Sequence, residues 1–295
     1  MTSSPPRILI SSIALWCGVV TAPLLPAAEP AGDPAKSEPT AGASAPTAAV
    51  AKATAAESPS NVAPIKDAVA VAFTAPRENA IAAVLERLGV AGQVEVVQSN
   101  DESFLTWVTP PHRSNTPVGA VLLIPAPPGA VSDTLMLALV DAPTASGWLT
   151  MAMQPPGTTP DTSDEFCARL AASLKFLQTR QIMSVVLTGI GRSVDHSLAC
   201  YAGKLPVEIA GVVGIGRWHS SLKALELPVL DVPPAADREA QRSARERTVT
   251  AEGRARSAYR QISIDAVDDR FEGAEAEVAK RLRGWLAQLP LRPKA

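Results

Sequence analysis

A strand-like run, Val185-Val186-Leu187-Thr188, leads through Gly189-Ile190-Gly191-Arg192-Ser193 into a helical stretch. Enzymes that transfer acyl groups place a nucleophile in such a setting. Small residues flank a serine on a sharp turn, and the amino end of the next helix faces the developing oxyanion. Laid over that pattern, the nucleophile falls at Gly191, which has no side chain to attack a carbonyl or carry an acyl group. Ser193 is the weak candidate for a displaced nucleophile, since a hydroxyl in the first helical turn ordinarily bonds backbone.

The other parts of such a machine are also thin. A general base belongs after the last strand, but Asp265-Ala266-Val267-Asp268-Asp269-Arg270-Phe271 holds no histidine. His112 stands in a proline-rich loop, His196 in the helix after the corner and His219 after another strand, and their spacing forms no metal set. Asp237 is the remnant acid position, with Asp231 at a strand end as the other choice. Without a histidine to orient, the two read as a helix cap and a hydrogen-bonded loop carboxylate. The facing loop Pro125-Ala126-Pro127-Pro128-Gly129 carries three prolines, each lacking a backbone donor.

What remains at the corner can bind. Amide donors, a helix amino end and a guanidinium suit an anion, so Gly189, Gly191, Arg192 and Ala126 are the expected ligand-binding residues, for a small anionic ligand. A dinucleotide is disfavoured because Gly-x-Gly lacks its third glycine and the strand is not the first of its unit; no cofactor is expected. A contact of His196 or His219 with both a buried serine and a carboxylate would overturn this inert-scaffold reading. The rival reading is an active esterase-type hydrolase with an atypical catalytic constellation.

The elements that must position these residues follow from periodicity. Ile81, Val84, Leu85 and Leu88 recur at helical spacing before Gly89. A polar turn at Ser99-Asn100-Asp101-Glu102 joins two β-rich runs as a hairpin. Beyond Pro117, continuous apolar runs at Ala120–Ile124, Leu149–Met153, Val185–Thr188, Ile209–Val213, Pro228–Val232 and Tyr259–Ile264 alternate with helical stretches near 131–145, 162–180, 192–203, 236–256 and 273–289. This alternation predicts an α/β fold with a mainly parallel eight-stranded sheet and helices on both faces. Arg238, Arg242, Arg245, Arg247, Arg254, Arg256 and Arg260, interleaved with glutamates, read as a solvated helical face.

That order of elements is similar to the α/β-hydrolase fold. The segments "SFLTWVTP", "GAVLLIPA", "SGWLTMAMQPP", "VVLTGIGRS", "ELPVLDVPP", "AYRQISID" and "RLRGWLAQL" together resemble an uncharacterised exported bacterial family, domain of unknown function 3530. The resemblance covers about residues 70 to 290 and implies the fold and an exported address, but no established substrate or reaction.

Composition sets the surroundings. Arg7 precedes an apolar run from Ile8 to Leu25, with Ala27 and Ala28 after it, so residues 1–28 read as a signal peptide, or as an anchor touching membrane if uncleaved. Residues 29–65, rich in Ala, Pro and Thr, cannot repay the entropy of ordering and read as a disordered linker. Residues 66–295 form the domain. The expected location is exported and periplasmic, with an envelope component as the larger partner. Lys+Arg 27 against Asp+Glu 29 gives a net charge of −2, with no field to draw nucleic acid. Outside the leader stand Cys167 and Cys200, which export would allow to pair; two buried thiols acting as small apolar residues are the favoured expectation.

Overall fold

The structure, a computed structural model, describes residues 76–289 apart from 101, 113, 115, 158–162, 202–206 and 252–257. The expected leader and linker, 1–28 and 29–65, lie outside the described residues. No helix among the described residues is long and apolar enough to cross a membrane.

Helix α1 (Pro76–Leu88) precedes a hairpin, β1 (Gln93–Ser99) and β2 (Glu102–Thr109), turned at Asn100. Then come β3 (Ala120–Ile124), α2 (Thr134–Thr144), β4 (Leu149–Met153), α3 (Ser163–Thr179), β5 (Ser184–Ile190), α4 (Arg192–Tyr201), β6 (Glu208–Ile215), β7 (Val229–Val232), α5 (Arg238–Thr250), β8 (Tyr259–Gln261) and α6 (Glu275–Leu286). The strands form one sheet in the order β1-β2-β4-β3-β5-β6-β7-β8. Pairs β1/β2 and β2/β4 are antiparallel and the rest parallel, as the buried apolar runs require.

Alternation along β3 shows how the layers form. Val121 and Leu123 face a core with Ile81 and Leu85 of α1, Leu139 of α2, and Val278, Leu282 and Trp285 of α6. Ala120, Leu122 and Ile124 face the opposite core, with Phe166, Leu170 and Leu174 of α3 and Val194 of α4. Both faces are therefore covered, and β3 and β4 are buried at every position. The last strand is shorter than its apolar run: β8 ends at Gln261, and Ile264 makes only an isolated bridge to Pro234.

Two expectations are corrected. Cys167 of α3 and Cys200 of α4 form a disulfide, because the two helices lie side by side with these Cα atoms 5.4 Å apart, within bridging range. The arginine-rich helix is not wholly solvated. Arg238, Arg242 and Arg245 are exposed, but Arg247 is buried. Its Nε and Nη2 donate to Asp231 at 2.9 and 2.8 Å, another nitrogen donates to the Trp218 carbonyl, and its guanidinium lies 3.9 Å over the Trp218 ring. Asp231, within β7 rather than in a loop, also accepts from Trp218 Nε1 at 3.0 Å and the Tyr259 hydroxyl at 2.8 Å. Burial, with the Asp231 charge adding to it, pushes the Tyr259 hydroxyl well above its ordinary range, so it stays a neutral donor. A single buried carboxylate thus ties α5, β8 and the loop after β6 to the sheet.

Truncating one partner of this cluster leaves a buried charge uncompensated. Arg247→Ala should cost about 3–5 kcal/mol of unfolding free energy, read by urea denaturation at neutral pH. A loss under about 1 kcal/mol would mean that the cluster does not hold these elements.

Candidate functional site

Strand register decides which loops meet. Ile124 of β3 lies opposite Gly189 of β5, Ile190 opposite Ile215 of β6, and Ile215 opposite Val232 of β7. The segments that follow these strands therefore emerge together at the carboxyl edge of the sheet, where ligands of open α/β sheets bind. The segments after β7 and β8 are stitched to each other: Ala235 and Ala236 amides donate to Ile264 and Ala266 carbonyls, and Ile264 donates back to Pro233.

Gly191 stands at the centre of this edge. Its φ of 54° is left-handed, and its amide donates to the Ile215 carbonyl at 2.7 Å. The backbone thus makes the sharp strand-to-helix turn that the motif requires, with no side chain on it. Gly189 is held by contact: a Cβ there would lie 2.8 Å from the Val194 amide nitrogen, so the strand and α4 could not approach as they do.

Ser193 is fully buried, and its hydroxyl donates to the Pro125 carbonyl at 2.5 Å. It pins the proline loop to α4. Asp237 caps α5, accepting from the Glu239 and Ala240 amides at 2.8 and 3.0 Å. The Arg192 side chain is exposed.

None of the three histidines reaches Gly191 through a hydrogen bond or ring contact. His112 Nε2 lies 3.1 Å from Thr144 Oγ1 and 3.2 Å from Asp141 Oδ1. The His196 ring packs against Phe166 at 5.3 Å. His219 comes part way to the arrangement that would overturn an inert scaffold, since its Nδ1 is 3.1 Å from the hydroxyl of buried Ser243. The carboxylate beside it, Asp195, accepts from the His219 main-chain amide at 2.8 Å and from Ser220, not from the imidazole. The imidazole itself is exposed, and Ser243 lies on the buried face of α5.

The residue that does reach the corner is Asp269, in the segment after β8. If Gly191 bore a Cβ, Asp269 Oδ2 would lie 3.2 Å from it. Asp269 Oδ1 accepts from the Arg217 amide at 2.8 Å. The buried ring of Phe271, at φ 53°, anchors the segment in the core two residues on. Burial raises the Asp269 carboxyl above the usual carboxylate range, Arg217 opposes the shift, and the negative charges of Asp237 and Asp268 add to it. Sequence reading searched this segment for an imidazole and so passed over the carboxylate that occupies the place.

A cavity of about 630 Å³ opens beside this carboxylate, between the proline loop, the start of α2 and the segment 269–275. Ala126 and Ile190 line it; Gly189, Gly191 and Arg192 do not. The proline loop is held from outside. Arg77 of α1 donates to the carbonyls of Pro128 and Gly129, and buried Gln154 donates to Gly129 at 3.2 Å while accepting from Val131 at 3.1 Å. Neighbouring Glu78 is buried against Arg169 at 2.8 Å and accepts from the Leu105 amide, which fixes α1 to the sheet. Among the described residues no group of three or more His, Cys, Asp or Glu side chains is placed to hold a metal ion.

No family model and no curated protein matches the chain. Solved structures do. The chain is similar to a serine hydrolase without lid from Xanthomonas campestris (TM-score 0.56, 14% identity, covering 69% of this chain and 97% of that one). It is likewise similar to a dienelactone hydrolase from Anabaena variabilis (0.55, 15%, 68% and 98%) and an alpha-beta serine hydrolase homologue from Coxiella burnetii (0.54, 16%, 66% and 97%). At such identities the likeness concerns the fold: this is an α/β-hydrolase fold.

The raised Asp269 carboxyl gives a pH dependence. Its folded-state pKa lies above its unfolded value, so its contribution is full below the unfolded pKa and is lost as pH rises through the folded one. Asp269→Asn, which keeps an acceptor for the Arg217 amide, should raise the melting temperature at pH 7–8 by about 1 °C or more. That gain should vanish below about pH 4. Thermal melts across that range test it, and a variant less stable at pH 8 than at pH 4, relative to wild type, would contradict it.

Proposed function

We propose that this chain is an exported α/β-hydrolase-fold protein that has lost acyl-transfer chemistry and uses the corner at Gly191 to bind a ligand or an envelope component. One observation carries the reading: the nucleophile's turn is built, with left-handed φ at Gly191, and the position bears no attacking atom. The position facing it holds Asp269, a carboxylate, where such a machine needs an imidazole. Export is supported by the leader's composition and by the Cys167–Cys200 disulfide, which suits an oxidising compartment. Membrane contact follows only if residues 8–25 stay uncleaved.

For the ligand, the corner offers two signs of charge. Arg192 at the start of α4 suits the small anion expected from the sequence, with Gly189, Gly191 and Ala126 around it. Asp269 opposes an anion set directly on Gly191.

A second reading has one specific observation in its favour. A half-buried carboxylate with a raised pKa, facing the place where Oγ would stand, is positioned to take a proton from a water, as a hydrolase without a covalent intermediate would require.

Short-chain activated esters and a serine-directed fluorophosphonate, offered to the full-length chain, separate the two. The non-catalytic reading expects no labelling and no saturable turnover. It fails if turnover or labelling appears and is abolished by Ser193→Ala, Ser243→Ala or Asp269→Asn. Loss in the last variant alone, without labelling, would establish the water-based reading. Restoring the missing groups together, Gly191→Ser with Asp269→His, should create fluorophosphonate labelling that neither single change creates.

A further inference from the structure

Asp269 is placed by more than its own loop. A Cβ on Gly216, whose φ is 84°, would lie 2.6 Å from its carboxyl, and one on Gly191 would lie 3.2 Å from its Oδ2. Two glycines on neighbouring strand ends thus leave room for this carboxylate, and the Arg217 amide fixes one of its oxygens. The other oxygen takes no hydrogen bond among the described residues. Asp269 is one of the residues lining the cavity of about 630 Å³, a volume suited to one small organic molecule.

The charges around that cavity are unequal. Asp133, Asp269, Glu272 and Glu275 line it against Arg270, four carboxylates to one guanidinium, a formal −3. Arg270 is 3.5 Å from Glu272, an exposed pair, which leaves Asp133, Asp269 and Glu275 as the lining carboxylates with no ion-pair partner among the described residues. Asp133 accepts from the Ala130 amide, whereas Glu275 makes no hydrogen bond or ion pair among the described residues. The remaining lining combines an apolar part, Ile190, Leu135, Met136 and the prolines of the loop, with the hydroxyl residues Ser132 and Thr134. Carboxylates focused by low-dielectric walls favour a cation. Because no three of them converge on one point for a metal, the favoured cation is one satisfied by one or two carboxylates.

We propose that this cavity is the binding site for a small organic cation, a primary ammonium on a short apolar body, with the ammonium on Asp269 and the body against Ile190, Leu135 and Met136. The proposal rests on the binding reading of this edge of the sheet but assigns the cavity beside Asp269 a cation, in place of the small anion expected at Arg192. Four carboxylates around the space would repel a carboxylate ligand of the same shape.

Isothermal titration of the full-length chain with hexylammonium chloride, sodium hexanoate and 1-hexanol at low ionic strength tests it. Hexylammonium should bind saturably and hexanoate should not, with 1-hexanol at least tenfold weaker than the amine. Asp269→Asn should weaken hexylammonium at least tenfold and Glu275→Gln severalfold, with circular dichroism checking the fold. Glu275 is the first residue of α6, so its variant tests the cavity independently of the Gly191 corner. Three outcomes overturn the proposal: hexanoate binding as tightly as the amine, amine binding unchanged in the folded variants, or no saturable amine binding. Ester turnover together with Asp269-dependent amine binding would sink the non-catalytic reading and leave the cation site standing. The absence of both would sink the cation site alone.

Discussion

The hydrogen bond from the Gly191 amide to the Ile215 carbonyl sets the geometry of the whole carboxyl edge. It holds the end of β5 against the end of β6 at the point where the chain reverses into α4, and that reversal needs the left-handed backbone found at Gly191. Once the turn is fixed, Ser193 enters the protein on the inner side of α4 and reaches the Pro125 carbonyl, so the proline loop is docked onto the same helix. A hydroxyl that a motif search would weigh as a nucleophile is consumed by construction. The turn and the docked loop are thus tied together by hydrogen bonds made within the fold, so the cost of ordering them is met during folding and not when a ligand arrives.

A second constraint sets where the carboxylates stand. Asp231 is buried within β7 and collects donors from α5, β8 and the Trp218 loop, so the segments after β7 and β8 cannot drift from the sheet edge. Those segments then bond each other through Ala235, Ala236 and Ile264. The stitching brings Asp237 and Asp269 near enough for the charge of one to raise the other. Distance between two acids in sequence says nothing of this; the parallel pairing of β7 with β8 does.

The fold was legible because its signals are local and redundant. Buried parallel strands read as unbroken apolar runs, and each of Ala120–Ile124, Leu149–Met153 and Val185–Thr188 falls on an observed strand. The cap at Asp237 was legible for the same reason, since a cap bonds amides two and three residues away. Three things were not. Arg247 looks like its neighbours in a charged helix, and only its place on the inner face, one turn from Ser243 and Ala244, separates it. The Cys167–Cys200 pairing depends on the mutual orientation of α3 and α4, which no periodicity encodes. Asp269 depends on three strand ends and a buried Phe271, all remote from Gly191 in the chain.

Asp269 also bears on the proposed absence of acyl-transfer chemistry at Gly191. In an acyl-transfer site the group beside the nucleophile becomes positive as charge develops on the substrate oxygen, and the field helps. A carboxylate in that place becomes no more than neutral on taking a proton, and while ionised it opposes a developing anion. For unit charges about 4 Å apart near a protein surface, that opposition is about 4 kcal/mol, roughly a thousandfold in rate. The same charge, reversed in its consequence, would favour a cation in the carboxylate-lined cavity beside it, as proposed above. A carboxylate in place of an imidazole would thus invert what such a corner stabilises, and glycine at 191, with φ of 54°, avoids the backbone strain that a side chain there would store. With strain relieved and the field inverted, returning a hydroxyl alone to position 191 would meet an opposing field and lack an imidazole.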